Sequence, residues 1–578
     1  MARISIGLAL VAGALSLSVV AVIARAELPN PSLLARTSPS GNYLAARLAG
    51  GQRDMAAAAS YYRAALRADP KNGELIERTF LVVLASGGVE DAVPLAERVV
   101  SIDKSHRIAR LALAARAIKR NQATAARAQL VQSVRGPIAD LTATLLTAWT
   151  YATVNEAKTG VDLVDKLQGA DWYTAFKELH AGLILEAAGQ RKEAGKRLER
   201  AYRADPTSVR IIDAYARWLA RNGERDKALE TYAAFAKLLP RHPLVDGAVA
   251  DLNAGRTPQP LVRTAAQGAA EVLYGLGSAL ARQGGEDLGL IYLQLAIYLD
   301  AEHPLALLSL ADLYEQMKKG ELAIEAYARV PASSPLKRNA EIQRGLNLDV
   351  LERSDEARTY LEKLLGEYPE DYDVATALGN VLRARKQYKE AAEIYSKAID
   401  RIDKPARQHW TVFYFRGISY ERAKEWKRAE ADLEKALELS PEQPQVLNYL
   451  GYSWIDQGMN LDRGTQMVRR AVELRPNDGY IVDSLGWAYY RMGQYDAAAK
   501  ELERAIELRP EDPVINDHLG DAYWKVDRRL EAHFQWRHAR DLKPEPEDLA
   551  KIELKLKNGL ADDGAPAKAA VSNSGNGG

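Results

Sequence analysis

The small and hydrophobic positions of this chain repeat on a fixed period. In the segment from Val482 to Pro510, Gly486 is followed twelve residues later by Ala498, seven later by Ala505 and five later by Pro510. The next block keeps the spacing with Gly520, Ala532, Ala539 and Pro544. Earlier blocks show it at Gly451, Ala471 and Pro476, at Gly417, Ala429, Ala436 and Pro441, and at Gly379, Ala391 and Ala398. Upstream the register continues through Gly345, Ala311 and Gly277. In the amino-terminal half Pro70, Lys104, Ile138, Trp172, Pro206 and Pro240 stand thirty-four residues apart, and Ala58, Ala92, Ala126, Gly160, Ala194 and Ala228 hold the same phase. The count is six repeats, a break, and eight more.

Helix packing explains the spacing. Glycine or alanine at the first two small positions lets two antiparallel helices approach at the short end of the usual range of roughly 8–10 Å. The third small position admits the following repeat. Large residues such as Tyr62, Leu198, Tyr232, Tyr327, Leu433 and Leu502 fill the remaining gaps. The closing proline has no N–H and disfavours helix in the residue before it, so it ends the second helix. Charged runs such as KEWKRAEADLEK and RKEAGKRLER are solvated helix faces with partners four residues apart.

These residues resemble the tetratricopeptide repeat (TPR) family over roughly residues 39–545, with the motif strongest in the last four repeats. The resemblance implies an all-α fold, a right-handed TPR superhelical solenoid made of two arrays of antiparallel helix pairs. The phase break places a degenerate array of about six repeats at 27–242, a connector at 243–267 and an array of about eight repeats at 268–545. Residues 243–254 read as an unpaired helix and GRTPQP as a turn-rich link. Residues 546–578 read as a capping helix followed by a small, polar tail. The late blocks further resemble proteobacterial cell-envelope repeat proteins, in particular the outer-membrane adaptor of a periplasmic carboxy-terminal processing protease. That resemblance implies protein partners, among them a periplasmic protease and cell-wall enzymes. The adaptor family is lipid-anchored through a cysteine, which this chain lacks.

Charge and composition narrow the function. Seventy-eight basic residues against 77 acidic ones leave a net charge of +1, without the overall basic footprint of a nucleic-acid binder. Zero cysteines exclude disulfides, thiolate metal sites and a cysteine nucleophile. Neither the phosphate-loop, the H-E-x-x-H nor the G-x-S-x-G pattern occurs, so no cofactor, metal or catalytic residue is assigned and a non-catalytic role is expected. His518, His533 and His538 crowd the last repeat but do not stack on one helix face.

At the amino terminus, Arg3 precedes an uncharged run from Ile4 to Ala24, and Ala24-Arg25-Ala26 offers a cleavage site before Glu27. Residues 1–26 are therefore expected to be an export signal or, if uncleaved, a membrane anchor, which places the repeats in the periplasm.

Solenoids bind along the inner face lined by first helices. Residues three before, one after and four after each repeat glycine share that face. The partner-binding candidates there are Tyr414, Tyr449, Tyr452, Asp483, Trp487, Tyr490, Asp517, Asp521 and Trp524. Aromatic rings beside carboxylates suit an extended or helical peptide, because rings give contact area at low entropic cost.

Overall fold

In the computed structural model the described residues are 38–560, apart from 134–135, 153–155 and 170–171. The expected signal or anchor and the tail after 560 lie outside them. All regular elements among the described residues are helices, and they follow one another as antiparallel pairs. No described helix is long and apolar enough to cross a membrane.

Local chemistry accounts for the pairs. In the block around Gly486 the first helix spans Gly479–Arg491 and the second Tyr495–Leu508. A Cβ on Gly486 would come within 2.5 Å of the Leu502 side chain, so glycine is what lets these two helices touch. Ala498, Leu502 and Ala505 are completely buried. Proline acts at both ends of the repeat. Pro510 follows two residues after the second helix ends, and Pro513 opens the next helix, where a missing N–H costs nothing. Between the two helices of a pair the chain turns through a left-handed residue, Gly493 in this block at φ 75°.

The chain divides into two compact units, between Leu351 and Glu352. In the first, six helix pairs from Pro39–Gly51 to Arg225–Leu238 are followed by the unpaired helix Pro243–Asn253 and a non-helical link. The division does not fall in the connector expected at 243–267. Beyond it, the pair Ala265–Arg282 and Glu286–Leu299 turns back into the preceding array and packs on helices Gly73–Ala85, Arg107–Lys119, Pro137–Ala152 and Tyr173–Ala187. One hydrophobic core therefore joins buried residues from Ala46 to Ala340, while Ile212, Tyr232, Phe235 and Leu252 belong to a second, smaller cluster. The inserted pair is apolar on nearly every side; ten of the fourteen residues of Glu286–Leu299 are buried. A helix of that kind needs cover all round.

The second unit begins with helix Ser354–Glu367 and continues through five pairs, Tyr372–Ala384 with Tyr388–Asp400 up to Pro513–Lys525 with Arg529–Asp541. Helix Pro546–Asn558 follows the last pair. A short 3₁₀ turn, Arg407–His409, sits in the insertion after Ala398.

Candidate inner-face binding site

The inner face of the first unit is filled by its own chain. A Cβ on Gly268 would overlap the indole of Trp149, and one on Gly275 would come within 2.8 Å of the Phe176 ring. Tyr292 meets Thr142 hydroxyl to hydroxyl at 3.1 Å, and the Lys119 ammonium lies 4.0 Å from the centre of the Tyr298 ring. Deeper still, Arg210 donates to Glu271 (Nε to Oε2, 3.0 Å), and His303 Nε2 stands 3.2 Å from the same carboxylate. All three side chains are largely withdrawn from water.

The second unit presents its first helices differently. On helix Trp410–Arg422, Tyr414 is half-buried and meets the edge of Tyr449, from helix Pro444–Asp456, at 5.9 Å. Burial pushes the Tyr414 hydroxyl up to about 12. Tyr449 donates to Glu421 Oε2 at 2.9 Å. Tyr452, one turn further on, is also half-buried, and burial first, then Asp456 and Asp483, raise its hydroxyl. On helix Gly479–Arg491 the Trp487 ring lies between Tyr490 (4.8 Å, planes 10° apart) and His518 (4.1 Å, 17°). These half-buried rings stand on three successive first helices, and the Trp487 stack ends against His518 on a fourth.

Two polar atoms on this surface lack a hydrogen-bond partner although buried: Asn448 Oδ1 and Trp487 Nε1. One accepts and the other donates.

The carboxylates among the candidates are engaged within the chain. Asp483 is 7% exposed and accepts from His518 Nδ1 at 2.9 Å. Burial works against a proton on His518, but Asp483, with Asp517 and Asp521 behind it, outweighs that and raises its pKa. Asp517 and Asp521 both accept from Lys555 Nζ of the capping helix, at 2.7 and 2.8 Å, and Asp521 also accepts from Trp536 Nε1 at 2.9 Å. Burial and the neighbouring Asp517 push the Asp521 carboxyl up to about 6 against the pull of Lys555. Trp524 packs on Trp536 at 5.4 Å and His533 at 5.8 Å, and the backbone at Gly559 closes over it.

The nine candidates therefore fall into two sets. Tyr414, Tyr449, Tyr452, Trp487 and Tyr490 line one surface, with Asp483 beneath it. Asp517, Asp521 and Trp524 sit under the capping helix. Lys555, and the pairing of His518 with Asp483, are what sequence reasoning missed. Each of these two side chains neutralises a carboxylate about one repeat upstream, a spacing of 35 residues for Asp483 and His518, and that spacing was the available signal. Among the described residues no group of histidines and carboxylates could hold a metal ion.

Family models for the TPR or tetratricopeptide repeat match residues 39–72, 342–406 and 486–527. The chain carries tetratricopeptide repeats in these segments. It is similar to the TPR repeat-containing protein PA4667 of Pseudomonas aeruginosa, 29% identical over 210 residues, 35% of this chain and 33% of that protein. It is also similar to the BBSome complex member BBS4 of Bos taurus, 27% identical over 116 residues, 20% of this chain and 21% of that one. It thus spans about a third of the first relative and about a fifth of the second. Solved TPR folds align along much of it at low scores. The APC/C Cut9–Hcn1 assembly aligns at 16% identity and a TM-score of 0.38, over 92% of this chain and 98% of that one. Yeast Tom70 aligns at 13% and 0.33, over 90% and 95%. TPR repeats imply protein partners in general, and the chain is read as a protein-binding scaffold.

Proposed function

We propose that this chain is a non-catalytic scaffold of the bacterial cell envelope that holds a protein segment on the inner face of its second unit. The segment lies along Tyr414, Tyr449, Tyr452, Trp487 and Tyr490. The observation that carries this reading is the half-buried ring surface with Asn448 Oδ1 and Trp487 Nε1 left unpaired in it. A buried donor or acceptor without a partner costs about 1–3 kcal/mol, and a peptide group offers one of each to satisfy them. The first unit's inner face is occupied by residues 265–299, which favours the second as the place for a partner.

The envelope part of the reading rests on the export pattern at residues 1–26. The resemblance of the late repeats adds a periplasmic processing protease and cell-wall enzymes as the partners to try first. An intact amino terminus in the mature protein would favour the second reading, an assembly or regulatory factor anchored in the cytoplasmic membrane by residues 4–24.

A photo-crosslinking residue at Tyr452, in cells fractionated for the envelope, should capture a discrete partner. Trp487→Phe keeps an aromatic ring in the stack while removing the indole N–H together with part of the ring area, so it should weaken capture at least about fivefold, near 1 kcal/mol. Capture unaffected by both Trp487→Phe and Tyr449→Ala would remove this face as the binding site.

A further inference from the structure

A second recognition surface lies on the edge of the same unit, at the turns within two neighbouring repeats. A shallow, open surface cavity of about 400 Å³ is lined by Lys386, Lys389, Arg422 and Lys424, among others. The one carboxylate in its wall, Glu390, is drawn away by Arg358 at 3.0 Å. Arg422 keeps a loose contact with Glu421 at 3.5 Å. Among the described residues no carboxylate stands against Lys389 or Lys424, so these two cations are unpaired in the described chain.

The left-handed turn residue of each of these two repeats is a lysine. Lys386 (φ 60°) and Lys424 (φ 65°) occupy the left-handed turn position that Gly458 and Gly493 fill in the next two repeats. A side chain there strains the backbone where glycine does not. Adjacent repeats bear that strain with lysine, and both lysines open on one cavity. At its lip, Lys386 Nζ already meets a carboxylate of the chain itself, Glu545 Oε1, at 3.3 Å. That contact shows the chemistry the site accepts.

We propose that this turn-edge cavity is a docking site for an acidic segment of a protein partner, whose Asp and Glu side chains pair with Lys389, Lys424 and Arg422. It sits at the turn edge, with Lys386 and Lys424 on the turns, Arg422 at the end of helix Trp410–Arg422 and Lys389 at the start of helix Tyr388–Asp400, and it recognises charge rather than rings. Its contacts are solvent-exposed, so affinity comes from several pairs acting together and falls with salt.

The test uses the full chain and a fluorescent decaglutamate peptide, with decaglutamine as the neutral control. Decaglutamate should bind at about 50 mM salt and lose most of its affinity by about 300 mM. Decaglutamine should not bind. Lys389→Gln with Lys424→Gly should weaken decaglutamate about tenfold, as expected for two exposed charge contacts. The Lys424→Gly change relieves the left-handed strain, so this variant should melt no lower than the natural chain and lost binding cannot be misread as unfolding. Trp487→Ala should leave decaglutamate binding intact, which separates this site from the aromatic face. Equal binding by the double variant, or by decaglutamine, would overturn the proposal. So would displacement by inorganic phosphate beyond that caused by chloride at matched ionic strength, because the cavity would then take oxyanions rather than an acidic segment.

Discussion

Replacing Glu271 tests how the first unit is held together. Its carboxylate sits on helix Ala265–Arg282 of the inserted pair and accepts from Arg210, on helix Val209–Arg221 of the preceding array. Burial opposes both charges, and each outweighs that cost for the other: Glu271 is held well below the usual carboxylate range and Arg210 above the usual guanidinium range. Glu271→Gln removes the closer negative charge and leaves Arg210, 16% exposed at its side chain, with Asp213 at 3.7 Å. Breaking a buried pair by removing one partner costs about 3–5 kcal/mol. For a unit this large, at about 2 °C per kcal/mol, the first-unit transition should fall by roughly 6–10 °C in scanning calorimetry of the full chain. The double variant Glu271→Met with Arg210→Met should recover most of the loss, because two apolar side chains leave no unpaired charge. A Glu271→Gln shift under about 2 °C, or a double variant worse than the single one, would refute the account of an insertion locked by a buried ion pair.

Three further outcomes are expected. Ala498→Leu, at a site with no exposed surface where two helices touch, should cost the second unit about 1–3 kcal/mol in denaturant titration, with the aromatic face otherwise intact. Burial holds the His180 imidazole down at about 4 against 6.5 when free, so the unfolded chain takes up the proton first; stability of the first unit should fall by about 3 kcal/mol as pH drops from 6.5 towards 4, and His180→Gln should flatten that fall in urea titrations across the range. A fragment starting at 268 should aggregate because it strips the inserted pair of its cover, whereas one starting at 352 should stay soluble and helical by size exclusion and circular dichroism.

The helices and their pairing were legible in the chain because they depend on contacts local in sequence. Gly486 against Leu502, Ala498 in its seam and Pro510 after the second helix each act within one repeat, and period and residue size suffice to read them. The candidate surface was legible in part for the same reason: helical spacing puts Tyr414, Tyr452, Trp487 and Tyr490 on one side of successive first helices. What covers a helix face is set by chain far away in sequence. A repeat motif records how a pair closes on itself and says nothing of what lies across its inner face. Trp149 therefore gave no sign that Gly268 would pack on it, nor Arg210 that Glu271 would neutralise it. At the other end, Asp517 and Asp521 read as open groove carboxylates until the capping helix brought Lys555 between them. The nearly all-round apolar character of residues 286–299 was the one signal in the chain that these helices needed distant cover. Only the tertiary structure supplied the partner, because burial is satisfied in space and not along the sequence.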